Sequence, residues 1–359
     1  MIEQTGFLLP IASWVLFSSL KSIAIIPLVL LIRRVFTKWL TPQARYGLWF
    51  ALIACLTIPF GAQVDLRGTP RATEVPVPVH AASRANAANY EKPVIGISTA
   101  AVTSSFQPSP RTVAILVWVL GVAVLAAAVL RNAARYSRMS FTASEPDAAT
   151  TRLFEHCTQI VKIRRHVRLL ETSGVDSPLL VGYWRPALLL PRNLSSHINR
   201  EQLRMVLLHE LTHVGRHDIL VNWLITCVQI AHWFNPLAWY ALRIARNDME
   251  QACDAGVLRH LTTAEQLEYG NTLIRLSDMT PRQALLVQNA SVVESRSQLK
   301  ERISMIARFK PLGTASSILG ATLIALTSIV ACTQGADAPQ QPAKPAVQLA
   351  TAAVVEQAA

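Results

Sequence analysis

The sequence predicts a multi-pass α-helical membrane protein with an α+β domain on its cytoplasmic side, and three observations predict it. Mean hydropathy is +0.31. Only 16% of the 359 residues are charged, where soluble domains carry about 25%. Three or four apolar runs approach or exceed the about 20 residues that cross a bilayer, and Lys and Arg crowd their ends, as the positive-inside rule expects. The net charge of +12 could otherwise indicate nucleic acid. Its placement beside the apolar runs argues against that, so no direct nucleic-acid binding is expected.

The first run extends from about Phe7 to Ile32, with Lys21 its only charge and Pro27 a kink position. It is too long for a secretory leader, and no basic segment precedes it. The second, Tyr46 to Ala62, is shorter but uninterrupted, so residues 1–62 read as two spans joined by a short cytoplasmic loop. The third, Val113 to Leu130, is nearly pure Val, Leu, Ala and Trp and gives a span over 111–131. The fourth, Gly313 to Ala331, gives a span over 311–332. Arg33, Arg34, Lys38 and Arg45 lie between the first two runs, Arg131, Arg135 and Arg138 follow the third, and Arg302, Arg308 and Lys310 precede the fourth. With the N-terminus outside, all of these fall on the cytoplasmic side of a bacterial inner membrane. Residues 63–110 then form an extracytoplasmic loop and 333–359 a short disordered extracytoplasmic tail, both poor in apolar periodicity. What remains, 132–310, is the cytoplasmic domain.

The cysteines, Cys55, Cys157, Cys227, Cys253 and Cys332, form no CxxC pair and no regular framework, so they read as small hydrophobes. Val330-Ala331-Cys332 has a lipoprotein-like look but lies far from any leader, and is discounted.

The chemistry sits on His209-Glu210-Leu211-Thr212-His213. Asn199 followed by Gln202 is a capping-box start, and Leu203, Val206, Leu207, Leu211 and Val214 give a partly buried helix. On that helix His209 and His213 are one turn apart and point the same way. Two imidazoles on one face can fill two corners of a tetrahedral zinc site, with Glu210 free to take a proton from the attacking water. Zinc lowers the pKa of its water towards about 7 and polarises the scissile carbonyl. HExxH is short enough to arise by chance, so a third ligand is needed. Metzincin spacing would require Gly at 216 and His at 219, where the chain has Arg216 and Ile219. A later Glu is the alternative, and Met249-Glu250-Gln251-Ala252-Cys253-Asp254 supplies it. Glu250 can ligate while Asp254, one turn on, orients a ligand histidine.

Several further blocks occur in order: Ser177-Pro178, Gly182 and Arg185-Pro186 before Leu188-Leu189-Leu190-Pro191; Val206 to His213 followed by Arg216-His217-Asp218; Phe234-Asn235-Pro236 with Trp239; Arg246, Glu250 and Cys253-Asp254; and Lys300-Glu301-Arg302-Ile303. Through them the chain resembles the BlaR/MecR family of membrane metallopeptidases. That resemblance implies a cytoplasmic α+β zincin (gluzincin-like) metallopeptidase domain, with His209, His213 and Glu250 as Zn2+ ligands, Glu210 as base and Asp254 in support. Arg216 and Asp218 fit the family's structural pattern around the ligands. The beta-lactam sensors of the family carry a large penicillin-binding domain after the last span. Here only a short tail follows, so antibiotic sensing by acylation is not expected.

The segment Glu171 to Pro191 reads as two short strands around Gly182-Tyr183-Trp184, either a structural hairpin or an edge that holds an extended peptide. Ile219 to Ala231 is apolar enough for a span, but a single crossing would part Glu250 from His213, and zinc ligands must all lie about 2 Å from one ion. Asn235-Pro236 therefore predicts a break between two helices that return to the same side; how deeply Ile219 to Tyr240 dips is left open. His217, His232 and Tyr240 are oxyanion-stabilising alternatives to plain structural roles. The basic run Lys162 to Arg168 reads as a solvated or interfacial face, and Leu299, Ile303 and Ile306 as an apolar stripe leading into the fourth span.

The function expected is zinc-dependent endoproteolysis at the cytoplasmic face, driven by a signal through the spans. By resemblance the protein substrate is a co-encoded DNA-binding repressor, the chain itself, or both, with self-cleavage around Gln283 to Arg296; a homodimer and the lipid bilayer complete the partners. Two other readings stand beside it. A non-catalytic sensor-transducer would have no use for Glu210, and a housekeeping protease of the Ste or heat-shock type fits the Arg216-x-Asp218 and Phe234-Asn235-Pro236 blocks less well.

Overall fold

The computed structural model describes residues 5–57, 109–192, 194–279, 296–309 and 314–333. The expected loop to residue 108, the tail and all but the last residue of the candidate self-cleavage zone lie outside them. The chain is mostly helical. Helices α1 (Thr5–Val35), α2 (Pro42–Thr57), α3 (Pro110–Thr142) and α11 (Thr314–Thr333) cover the apolar runs. Among the described residues α1 and α3 are long and apolar enough to cross a membrane. α3 begins at Ser109, whose side chain caps Thr112, with Pro110 at the first helical position. It runs on to Thr142, past the span end expected at residue 131, because Asn132 to Thr142 lacks any helix breaker. Val113, Leu116, Val117, Leu120 and Val124 of α3 all face outward, an apolar surface of the kind that marks a membrane or protein contact.

The remaining elements are α4 (Ala148–Val161), β1 (Arg168–Thr172), β2 (Leu179–Val181), β3 (Ala187–Pro191), α5 (Leu194–His197), α6 (Arg200–Gly215), α7 (Asp218–Ala231), α8 (Pro236–Leu258), α9 (Thr263–Met279) and α10 (Arg296–Ala307). The two strands expected around Gly182 are β2 and β3, antiparallel, and the structure adds a third: β1 pairs parallel with β3, giving the order β1-β3-β2. Gly182 turns the hairpin at φ 75°, with the Arg185 carbonyl 3.0 Å from where a Cβ would stand. Alternation along β3 sends Leu188 and Leu190 into one core and Ala187 and Leu189 into another. β1 and β2 are the two edges, and β1 is bridged on its outer side between Glu171 and Ser144.

Two larger cores meet along α8. Val257 and Leu258 join β3, α4, α6, α9 and α10 in the first, where Leu299 and Ile303 pack and Ile306 is buried. Ala241, Leu242 and Ala245 join α1, α2 and α7 in the second. Across the boundary expected at residue 132, α7 and α8 bury their apolar faces against the N-terminal helices. They form an antiparallel hairpin. Asn235 caps α8 through Ala238 N at 3.0 Å with Pro236 at the first helical position, so the Asn-Pro break is a helix start. The tip is pinned on three sides: His232 Nδ1 lies 2.7 Å from Ser19 Oγ and Nε2 3.3 Å from Leu56 O; Asn235 donates to Ser22 Oγ; Trp118 Nε1 of α3 donates to Ala231 O. These bonds satisfy the polar atoms of the turn inside an apolar bundle.

Trp233 is seated against Gly121 of α3, where an added Cβ would lie 2.5 Å from the indole ring. Gly121→Val should therefore lower thermal stability by the about 1–3 kcal/mol typical of overpacking. Gly270→Ala, where the nearest atom to a new Cβ is at 3.9 Å, should be tolerated; equal melting temperatures for the two variants would contradict this account of the hairpin tip.

Candidate metal centre

α6 starts where Asn199 and Gln202 close a reciprocal capping box. Helical periodicity then puts His209 and His213 on one face, their rings 4.7 Å apart and their Nε2 atoms 3.2 Å apart. Each Nδ1 is engaged on the opposite side. Tyr269 of α9 gives its hydroxyl proton to Asp254 Oδ1 at 2.6 Å, so His209 Nδ1–H donates to the tyrosine oxygen at 2.8 Å. His213 Nδ1–H donates to Asp218 Oδ2 at 2.8 Å, and Arg216 Nε donates to the same oxygen at 3.0 Å. The Nε2 atoms then face a common space, where each carries a proton or gives its lone pair to a metal ion.

Glu250 reaches that space from α8, its carboxylate oxygens 3.5 Å from His209 Nε2 and 3.8 Å from His213 Nε2. Donors bonded at about 2.0–2.1 Å to a tetrahedral ion lie about 3.3–3.4 Å from each other, so the set His209, His213 and Glu250 fits zinc. Cys253 Sγ also lies with the pair, all three donor atoms within 4.8 Å. It meets His209 at Nδ1, at 3.7 Å, and donates to the His209 carbonyl at 3.4 Å. Burial raises the Cys253 thiol, but His209 and His213 outweigh it and draw it below its ordinary range, so Cys253 is a candidate donor beside the pair, while Glu250 is the group that faces the Nε2 atoms.

Electrostatics agree with a site made for positive charge. Burial opposes protonation of both histidines, yet Cys253 with Tyr269 and Asp254 around His209, and Cys253 with Glu250 and Asp218 around His213, push both imidazoles well above their ordinary range. Burial alone would raise Glu250, but His213, His209 and Arg302 draw it down to about 2. Burial raises Glu210, and the two imidazoles offset this only in part while the Glu250 charge adds to it.

The structure thus brings His209, His213, Glu250 and Asp254 together, with Glu210 beside them and Asp218 and Arg216 behind His213. It leaves His232 at the hairpin tip and Tyr240 on an exposed face. His217 turns the α6–α7 corner at φ 60° with its ring 6.2 Å from Tyr183. Of the basic run, Lys162 ends α4 in the left-handed conformation, Arg165 lies over the Tyr183 ring and Arg168 opens β1. Two site residues escaped the reading by chemistry. Tyr269 carries no local signal. Arg302 donates twice to Asp254, at 2.8 Å each, and lies 3.6 Å from Glu250. Its signal was present, because Arg302 shares a helix face with Leu299, Ile303 and Ile306, and a charge on an apolar stripe calls for a buried partner.

Among curated proteins, the chain is 32% identical over 212 residues to the regulatory protein BlaR1 of Bacillus licheniformis, a stretch that covers 58% of this chain and 35% of that one. It is 22% identical over 303 residues to the methicillin resistance mecR1 proteins of Staphylococcus aureus strain Mu50 and Staphylococcus epidermidis, covering 83% of this chain and 52% of each. The chain therefore spans about a third to a half of the length of the curated relatives it matches. Residues 13–306, from α1 to the end of α10 and including every residue of the histidine–carboxylate cluster, match BlaR1 peptidase M56, and the chain belongs to that family.

Proposed function

We propose that the chain is a zinc-dependent endopeptidase of the bacterial inner membrane, with a gluzincin-like site at the cytoplasmic face, acting in signal-regulated proteolysis of a repressor, of itself, or of both. The observation that carries this reading is the pair of Nε2 atoms faced by the Glu250 carboxylate while both Nδ1 atoms are committed elsewhere. In this reading α1, α2, α3 and α11 cross the bilayer with the N-terminus outside, and the α7–α8 hairpin enters from the cytoplasmic side and returns. The lengths of α1 and α3 and the outward apolar face of α3 support that placement.

His209, His213 and Glu250 would hold the zinc. When bound, it supplies a Lewis acid that polarises the scissile carbonyl and acidifies water. Glu210 takes the proton of the attacking water and returns it to the departing amide nitrogen. Asp218 and Tyr269 keep the imidazole protons on Nδ1, which leaves Nε2 for the metal. The half-buried edge strand β2 can take an extended peptide by strand addition. The Bacillus relative is named a regulatory protein and the staphylococcal ones resistance proteins; with the family resemblance, this favours a co-encoded DNA-binding repressor as the substrate.

The test uses purified full chain, zinc-loaded or stripped by chelator, incubated alone and with co-encoded regulators. Fragments that need zinc and vanish in His213→Ala support the reading; fragments that persist without metal, or a wild type that holds no zinc, overturn it. Tyr269→Phe removes only the hydroxyl between His209 and Asp254, and should weaken zinc binding about 10–100-fold, as loss of a ligand's orienting partner does. A chelator-competition affinity equal to wild type would remove Tyr269 from the site.

A further inference from the structure

The cytoplasmic corner of α1 and α2 grips the single turn of α8 that carries Glu250. Asp248, two residues before Glu250, is 1% exposed. Its carboxylate takes a two-pronged bond from Arg33 of α1, Nε to Oδ2 and Nη2 to Oδ1, each at 2.7 Å. Trp49 of α2 adds Nε1 to Oδ2 at 2.7 Å. On the next residues of the same turn, Arg45 donates to Gln251 Oε1 at 2.9 Å and Gln43 to the Ala252 carbonyl at 3.4 Å. Donors from α1 and α2 therefore converge on residues 248, 251 and 252, on both sides of Glu250 in sequence. Arg34, in the last turn of α1 beside Arg33, and Lys38, just beyond it, are exposed.

A planar guanidinium fork fixes direction as well as distance, and an indole N–H on the same oxygen fixes the carboxylate plane. A helix held this way can neither slide nor rotate. Because Glu250 follows Asp248 by two residues on the same helix, its approach to the two Nε2 atoms is set by α1 and α2 as much as by α6.

We propose that Arg33 and Trp49 are positioning residues for the metal centre, acting through Asp248 to fix Glu250 against His209 and His213. This rests on the reading of Glu250 as a metal ligand. It gives Arg33 and Arg45 a task that their placement after an apolar run did not suggest, and it makes the α1–α2 corner the contact through which a shift of either helix reaches the site.

The experiment compares Arg33→Gln, Arg33→Lys and Trp49→Phe with Arg34→Gln and Lys38→Gln, each in the full chain. Zinc affinity by chelator competition, the visible spectrum of the cobalt-loaded protein and thermal unfolding of the metal-free protein are read together. Arg33→Gln should weaken zinc about 10–100-fold and alter the cobalt spectrum, with Arg33→Lys recovering part of the loss. Trp49→Phe, which keeps an aromatic ring and removes the N–H, should shift both readings in the same direction by a smaller amount. Arg34→Gln and Lys38→Gln should match wild type, although they remove the same charge from the same end of α1. Wild-type affinity and spectrum in Arg33→Gln and Trp49→Phe, with only metal-free stability reduced, overturn the proposal. Should Arg33→Gln fail to fold, the milder Trp49→Phe decides by the same criterion. Glu250→Gln separates the two levels. If it weakens zinc while Arg33→Gln and Trp49→Phe do not, only the clamp is wrong; if it leaves zinc untouched, the ligand reading falls and the clamp's role falls with it.

Discussion

Glu210→Gln is expected to lower kcat by about 10²–10⁴-fold, the usual contribution of a positioned general base, while zinc content stays at the wild-type level. Glu210 lies on α6 between the two histidines in sequence, but the space between the Nε2 atoms is faced by Glu250. The glutamine side chain has the same size and cannot accept the proton. Burial raises the Glu210 carboxyl above its ordinary value despite the neighbouring imidazoles, and a weaker acid is a stronger base, better matched to taking a proton from water near neutral pH. Single-turnover cleavage of a peptide or of the chain itself, beside metal analysis of the same preparation, checks this. Turnover at the wild-type rate would remove Glu210 from the chemistry. Loss of zinc would reassign it to holding the metal.

Arg302→Gln is the second large effect. It leaves Asp254, 0% exposed, without its counter-charge, and stranding a buried charge costs about 3–5 kcal/mol. The expected readout is a large drop in melting temperature with undocking of α10, whose Glu301 also takes a bond from Asn247 at 2.7 Å. Arg302→Lys should rescue poorly, because an ammonium cannot reproduce the fork onto both Asp254 oxygens. The double variant Arg302→Gln with Asp254→Asn should recover part of the loss, since neither charge is then stranded. A single variant as stable as wild type, or a double variant no better than the single, would contradict this account. The same pair predicts an acid limb. Burial raises Asp254, but Arg302 and His209 outweigh it and hold the carboxyl well below the usual range. The folded state thus binds its proton later than the unfolded chain. The stability this contributes is present above the unfolded value of about 3.9 and is lost as pH falls through the folded one. Arg302→Gln should flatten that limb.

Contacts that cross long stretches of chain were the part that the sequence left dark. Tyr269 meets His209 across 60 residues, Arg302 meets Asp254 across 48, and Arg33 meets Asp248 across 215. Arg33 is legible in sequence as a cation flanking an apolar run, and Arg302 as that and as part of the Lys300-Glu301-Arg302-Ile303 block, neither of which says that a carboxylate folds against them. A sharper reading was available for two of these. Asp248 shares the apolar face of Ala241, Leu242 and Ala245, and Arg302 shares that of Leu299, Ile303 and Ile306, so each charge on an apolar stripe announced a buried partner without naming it.

The sequence by itself determined the helices and the histidine geometry, because these depend on interactions within about one helical turn. The capping box at Asn199 and Gln202 starts α6, and the four-residue spacing then places His209 beside His213 whatever packs around them. The same locality made α3 legible from its apolar run and the start of α8 legible from Asn235-Pro236. Only the tertiary structure decided that β1 joins β3, that the α7–α8 hairpin is wedged among α1, α2 and α3, that Tyr269 and Arg302 close on the histidine–carboxylate cluster, and that Arg33 reaches Asp248. Periodicity tells a helix which face to bury but not against which partner. That choice is made by how whole faces fit, and each buried charge is tolerated only where the fit brings its counter-charge within hydrogen-bond reach.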